Sequence, residues 1–330
     1  MYTKLKSKIV NKKIKQDLKK IVKIILLEEP EKISSVYLGG SFGRGEGLVK
    51  IKNKKIEIVN DYDLYLFLKK KIEVKTKKRI EKRIKKEVKT KVDIQSIMVG
   101  GMKRLKAHQY IYDLKYGSIC LFGNEELDKI PDYKKEDIPL DSAEKLLLTR
   151  LWCLFQDPHE EYGFQQMVKA ILAIEEAELI WRGEYEVSYS KKLEKIKKYE
   201  KWAMFDFATK VKVGLSNGNW LSVKDKKEVT KKFLGVMLKV GKKLNRFSEP
   251  NDYYFKYLIK NLGYFIYRVL KDKNLKYFKE MRIKFGEFYY LMYEETGDLE
   301  YLKKSRRVFK GKEDNLRREI LEAHEKFIGK

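Results

Sequence analysis

The run Asn60-Asp61-Tyr62-Asp63-Leu64-Tyr65-Leu66-Phe67-Leu68 constrains the fold of this chain more than any other segment. A β-strand has a period of two, which places Asp61 and Asp63 on one face and Tyr62, Leu64, Leu66 and Leu68 on the other. An apolar face of that kind needs a sheet with a packed layer behind it. Two carboxylates this close repel, and both are poorly solvated beside an apolar sheet, so a positive group should hold them ionised. Hard oxygen ligands at this spacing suit Mg²⁺, which keeps several waters and takes further ligands from a substrate's phosphates. The competing reading is a polar strand edge without chemistry.

The flanking segments supply the rest of an α/β unit. Residues 34–40 are a β-rich run that ends in Gly39-Gly40-Ser41-Phe42-Gly43-Arg44-Gly45-Glu46-Gly47. Glycines there let backbone N–H groups approach phosphate oxygens, while Ser41 offers a hydroxyl and Arg44 a charged fork. The Walker pattern and the dinucleotide fingerprint are both missing. Residues 56–59 read as a strand, 72–91 as a helix with Ile80, Ile84 and Val88 as its buried stripe, and 92–99 as another strand. A helix near 102–116 and a strand over 119–122 complete the unit. Asp93 opens the strand at Val92, and three acidic groups on adjacent strands beside a phosphate cradle are what two-metal phosphoryl chemistry requires.

The run Leu38-Gly39-Gly40-Ser41, with Asp61-Tyr62-Asp63 and Val92-Asp93-Ile94, resembles the DNA polymerase β nucleotidyltransferase superfamily, whose pattern is a Gly-Ser turn, an Asp-x-Asp strand and a third Asp. The spelling GGSFGRGEG with NDYD is similar to stand-alone members of that superfamily. Tyr112-Asp113-Leu114-Lys115-Tyr116-Gly117, Leu121-Phe122-Gly123-Asn124 and residues 146–150 also resemble that group, so the likeness spans residues 33–155. It implies that Asp61, Asp63 and Asp93 are catalytic and hold two Mg²⁺ ions, with Mn²⁺ able to substitute, and that Gly39, Gly40, Ser41 and Arg44 bind the nucleotide. Asp93 would also help deprotonate the acceptor hydroxyl. One departure is that nineteen residues separate Ser41 from Asp61, a longer gap than the superfamily's usual one. The extra length, residues 48–60, reads as an inserted hairpin carrying Lys50, Lys52, Lys54 and Lys55.

At 330 residues the chain is about twice a typical domain. The expected organisation is an α/β (α+β) nucleotidyltransferase domain with a small mixed sheet over residues 1–140, followed by an all-α domain over 141–330 that binds the acceptor or acts as a lid. The first domain begins with a helix within residues 1–29, whose apolar positions are Ile9, Val10, Ile14, Leu18, Ile21, Val22, Ile25 and Leu26. The second should hold helices over 141–157, 163–182, 191–213, 223–246, 251–271, 274–294 and 298–328. Met167, Ala170, Ile171, Ile174 and Ala177 line one face of the helix over 163–182. That helix and the run through Gly183-Glu184-Tyr185 and Ser188-Tyr189 resemble the helical domains of aminoglycoside adenylyltransferase-like enzymes. Lys169 on it is a candidate triphosphate contact, against the plainer reading of a solvated lysine. Tyr253, Tyr254, Phe255, Tyr257, Tyr264, Phe265, Tyr267, Phe285, Phe288, Tyr289, Tyr290 and Tyr293 fall at helical spacing and are read as core ahead of base-stacking platforms.

Lys plus Arg number 75 against 48 Asp plus Glu, and the net charge of +27 attracts nucleotides, nucleic acid, anionic lipid or acidic glycans alike. Lysine interleaved with glutamate and isoleucine is also what AT-rich coding or a hot habitat produces. Cys120 and Cys153 each sit in an apolar run and read as buried thiols, without a disulfide or a zinc site. His108, His159 and His324 are too scattered for a metal site. No run approaches a membrane span, so a soluble, cytoplasmic protein is expected. The leading functional expectation is transfer of a nucleoside monophosphate from an NTP, ATP favoured, to a hydroxyl of a small molecule or a protein. An RNA-directed transferase is the runner-up, since no RNA-binding motif accompanies the charge, and a non-catalytic nucleotide- or RNA-binding module is the alternative of a different class. The acceptor and the oligomeric state are not written in the sequence.

Overall fold

The computed structural model describes residues 1–52, 55–216, 221–245, 253–261, 276–309 and 313–327. The chain divides into two compact units, one formed by Met1–Pro139 with Arg182–Gly218 and the other by Leu140–Trp181 with Asn219–Lys330. The first is a mixed α/β unit and the second is helical.

In the first unit, helix α1 (Lys8–Glu28) starts at Ser7, whose side chain accepts the Val10 N–H. Then come β1 (Ile33–Leu38), the single turn α2 (Gly40–Gly43), β2 (Val49–Lys52), β3 (Lys55–Ile58) and β4 (Tyr62–Leu68). Helix α3 (Val74–Val88), β5 (Val92–Met98), a 3-10 turn at Val99–Arg104, α4 (Gln109–Gly117) and β6 (Ile119–Gly123) follow. The sheet has the order β5-β4-β1-β6, with β1 antiparallel to β4 and β6, and β4 parallel to β5. Strands β2 and β3 pair with each other as the expected hairpin, apart from the main sheet. The alternation in β4 sorts its side chains as its period predicts. Tyr62, Leu64, Leu66 and Leu68 pack with the apolar stripes of α1 and α3, whereas Tyr65 and Phe67 join Tyr37, Met102 and Leu114 on the opposite face. Burial of each such side chain contributes about 1.5–3 kcal/mol, and Asp63 shares the face of Tyr65 and Phe67.

Helices α5 (Asp141–Arg150) and α6 (Glu161–Trp181) belong to the second unit, but α7 (Tyr189–Ile196) and α8 (Ala203–Lys212) return to the first. This corrects the expectation of one helical block over 141–330. The cause is a set of polar ties that leave no periodic trace in the sequence. The Glu46 carboxylate is fully buried and accepts the Ser188 hydroxyl at 2.7 Å and the N–H groups of Tyr189 and Ser190 at 3.0 and 3.3 Å. The Tyr185 hydroxyl donates to Asp113 at 3.0 Å. The single helix expected over 191–213 is likewise two. Tyr199, in the break, hydrogen-bonds Glu184 and lies under the Arg182 guanidinium at 4.2 Å.

The second unit adds α9 (Val223–Lys243), α10 (Tyr253–Lys260), α11 (Lys276–Thr296), α12 (Leu299–Arg306) and α13 (Glu313–Phe327). Helix α9 opens on a capping box formed by Ser222 and Asp225. Tyr253, Tyr257, Phe285, Phe288, Tyr289 and Tyr290 are buried, as a core reading requires, whereas Tyr293 is half-buried; Met167, Ala170, Ile171, Ile174 and Ala177 on α6 are buried too. Tyr264, Phe265 and Tyr267 lie outside the described residues, as do the side chains of Tyr254 and Phe255, and Lys54 in the hairpin. The helix expected over 298–328 is resolved into α12 and α13. Cys153 is buried, but Cys120 is exposed because β6 is an edge strand with no neighbour beyond it in the sheet among the described residues. No helix among the described residues is long and apolar enough to cross a membrane.

Glu46 makes a testable hinge of this arrangement. Burial raises its pKa, but the hydrogen bonds from Tyr189, Ser188 and Ser190 and the charge of Arg44 outweigh burial and hold the carboxyl below its ordinary value of 4.5. Glu46→Ala leaves buried donors and Arg44 uncompensated and should cost about 3 kcal/mol of unfolding free energy near neutral pH. A depressed carboxylate contributes stability above its unfolded pKa and loses it as pH falls through the folded one. Denaturant melts should therefore show the gap between wild type and variant closing in acid.

Candidate active site

The site is built from the end of β1 outward. The Gly39 N–H donates to the Asp63 carbonyl at 2.8 Å, carrying the β1–β4 pairing into the turn. Gly40 adopts φ +57°, and a Cβ there would overlap the Asp63 carboxylate, so the position tolerates no side chain. Among the described residues the N–H groups of Gly40, Ser41 and Phe42 donate to no protein acceptor, as expected for the first donors of a helical turn. The Ser41 hydroxyl donates to Asn60 Oδ1 at 3.3 Å, and the same oxygen accepts the Leu48 N–H at 2.8 Å. Asn60 thereby closes the inserted hairpin at its base, which keeps the glycine turn beside β4 despite the long gap.

Across the parallel pairing of β4 with β5, Asp63 stands in register with Asp93 on the same sheet face. Asp61 and Asp93 are exposed and Asp63 is half-buried. Burial, then the charges of Asp61 and Asp93, push the Asp63 carboxyl up to about 6, with Arg44 and Lys212 offsetting part of the shift. Gln95 donates to Asp93 Oδ2 at 3.3 Å and accepts the Tyr110 hydroxyl at 2.6 Å. The Tyr110 ring packs on Tyr65 at 5.7 Å, and burial raises its phenol to about 12, so it stays a donor at neutral pH.

The sequence-derived residues thus divide. Gly39, Gly40, Ser41, Asp61, Asp63 and Asp93 come together at one end of the sheet. The Arg44 side chain is only 10% exposed, 3.7 Å from Glu46 and 5.0 Å over the Tyr189 ring, with no hydrogen-bond partner for its Nε among the described residues. It is part of the tie to α7 rather than the open phosphate fork expected, although its charge still acts on Asp63. Lys169 lies half-buried on α6 in the second unit, where its charge acts on Cys153. Sequence reasoning missed Lys212, Gln95 and Tyr110. One lysine among so many carries no signal, whereas Gln95 shares the face of Asp93 by the strand period and was legible in principle.

Among the described residues no group of three or more His, Cys, Asp or Glu side chains is placed to hold a metal ion, so Asp61, Asp63 and Asp93 do not form the three-carboxylate ligand set expected. The donor set still fits a cation such as Mg²⁺, which is bound through one or two carboxylates and completed by water and substrate phosphates. The repulsion expressed in the raised Asp63 pKa is what such a cation would relieve. Asp63→Asn should accordingly raise the thermal midpoint near pH 7.5. A carboxyl whose folded value, about 6, lies above its ordinary 3.8 destabilises the fold once ionised. The gain should shrink as pH falls from the folded value to the ordinary one, where both states are protonated. Added Mg²⁺ should stabilise the wild type more than the variant in the same melts.

No protein-family model matches the chain, and no curated protein matches it. Among solved structures it is similar to the spectinomycin adenyltransferase AAD(9) from Enterococcus faecialis, crystallised with ATP and spectinomycin. The identity is 11% and the TM-score 0.45, over 68% of this chain and 98% of that chain.

Proposed function

We propose that this protein is a Mg²⁺-dependent nucleotidyltransferase that moves a nucleoside monophosphate from an NTP, with ATP the first donor to assay, to a hydroxyl of a small molecule or a protein. The observation that carries this reading is the seating of the Asp63 carboxylate against Gly40, with Asp93 in register beside it. It sets unpartnered turn N–H groups next to paired carboxylates, which suits a phosphate held for in-line attack. Asp63, with Asp61 or Asp93, would hold the metal, with water and substrate phosphates completing its shell; when bound it would neutralise phosphate charge and make the acceptor hydroxyl more acidic.

The chain's own groups do the rest. The N–H groups of Gly40 and Ser41 hold phosphate oxygens, and Arg44 and Lys212 supply a positive field beside Asp63. Asp93 accepts the proton of the acceptor hydroxyl, whose oxygen bonds to the α-phosphorus as the α–β phosphoanhydride bond breaks and pyrophosphate leaves. Gln95 and Tyr110 are positioning residues that orient Asp93.

The test is incubation with each α-labelled NTP, Mg²⁺ and fractionated extract of the source cells, beside the Asp61→Ala protein. Label should enter one fraction only with the intact enzyme. Asp93→Asn should lower transfer by about 10²- to 10⁴-fold, and Tyr110→Phe by about 10- to 100-fold. Tight NTP binding without pyrophosphate release on any acceptor would instead make the protein a binding module and sink the proposal.

A further inference from the structure

Two helices of the first unit carry a charge pattern that the transfer reaction does not use. On α1 the exposed lysines Lys8, Lys12, Lys15, Lys19 and Lys23 recur at three and four residues, which makes one stripe about 22 Å long. On α3 the exposed Lys75, Lys78, Lys82 and Lys86 form a second stripe of the same kind, about 16 Å long. Each stripe lies opposite its helix's buried residues, Val10, Ile14, Ile21 and Ile25 on α1 and Ile80, Ile84 and Val88 on α3. Both helices pack on the same face of the sheet, in contact with each other. The two stripes therefore run over one outward surface, about a helix diameter apart.

The nearby carboxylates do not neutralise this surface. Asp17 is buried and takes Lys13 at 2.5 Å, while Glu28 takes Arg79 at 2.6 Å and Arg83 at 3.2 Å. Among the described residues none of the nine stripe lysines makes an ion pair. Neither helix contains an aromatic residue on which an unstacked base could lie. The apolar side of α1 is committed to the core, so α1 has no face to insert into a bilayer as an interfacial helix would.

We infer that the α1/α3 face binds the sugar-phosphate backbone of a nucleic-acid duplex, without reading its sequence. Rows of lysines held rigidly on one surface, with nothing to stack or insert, suit a backbone that carries one charge per about 1.7 Å of axis. Asp63 and Asp93 lie on the other face of the sheet, so this surface anchors a polynucleotide rather than presenting it to the carboxylates. It stands or falls independently of the proposed transfer.

The experiment is fluorescence anisotropy of the full chain with labelled RNA and DNA duplexes of about 20 base pairs, from about 50 to 200 mM salt. The stripe variant K8Q/K12Q/K15Q/K19Q/K23Q is compared with K224Q/K227Q/K231Q/K242Q/K243Q, which removes the same charge from α9. Wild-type affinity should fall on the order of 10²- to 10³-fold across that range. The stripe variant should bind at least about tenfold more weakly, with a log–log salt slope flatter by about 4, and the control should change far less. Unchanged far-UV circular dichroism verifies folding, and K75Q/K78Q/K82Q/K86Q serves if the first set fails it. Equal losses in stripe and control variants, no duplex binding by the wild type, or stripe-dependent binding to phosphatidylserine vesicles without duplex binding would each overturn the inference.

Discussion

The hydrogen bond from the Gly39 N–H to the Asp63 carbonyl ties the glycine turn to the strand that bears the carboxylates, and the site depends on it. It extends the β1–β4 pairing by one step, so the turn cannot drift along the strand. Gly40 then meets the Asp63 side chain with no Cβ between them. A one-residue slip would turn every alternate side chain of β4 to the wrong face. The apolar stripes of α1 and α3 prevent that slip, because Tyr62, Leu64, Leu66 and Leu68 have only one layer in which to bury themselves. The core thus fixes the candidate site through register.

The same unit concentrates charge where burial makes it costly. Asp63 is pushed up by burial and by two neighbouring carboxylates, whereas Glu46, more deeply buried, is held down by three hydrogen-bond donors and Arg44. The contrast is between a carboxylate the protein satisfies internally and one whose repulsion from its neighbours it leaves in place. Satisfied buried charges serve architecture, and unsatisfied ones cluster where function is. Glu46 fastens 182–218 to the sheet, while Asp63 faces the turn.

The two faces of the sheet do different work. One carries Asp63 and Asp93 with Gln95, Tyr65 and Tyr110 around them. The other is covered by two helices whose outer sides are lysine. A strongly basic composition alone would not separate a solvated surface from a binding one. The distinction comes from where the acidic residues went, because they pair beside or beneath the stripes and leave the stripes uncompensated.

Strand and helix periods are local properties of the chain, so the sequence by itself determined the strands of the sheet, the buried stripes of α1 and α3, and the side of β4 on which Asp63 falls. It also marked Asp93 and the glycine turn, because glycine and aspartate are rare choices beside an apolar strand. Contacts between residues far apart in the chain leave no such period. The return of 182–218 to the first unit rests on Glu46 meeting Ser188, Tyr189 and Ser190, more than 140 positions away. The same reason hid the burial of Arg44, the charge of Lys212 beside Asp63, the break at Tyr199 and the exposure of Cys120 on an edge strand. Each follows from which segments became neighbours, and only tertiary packing decided that.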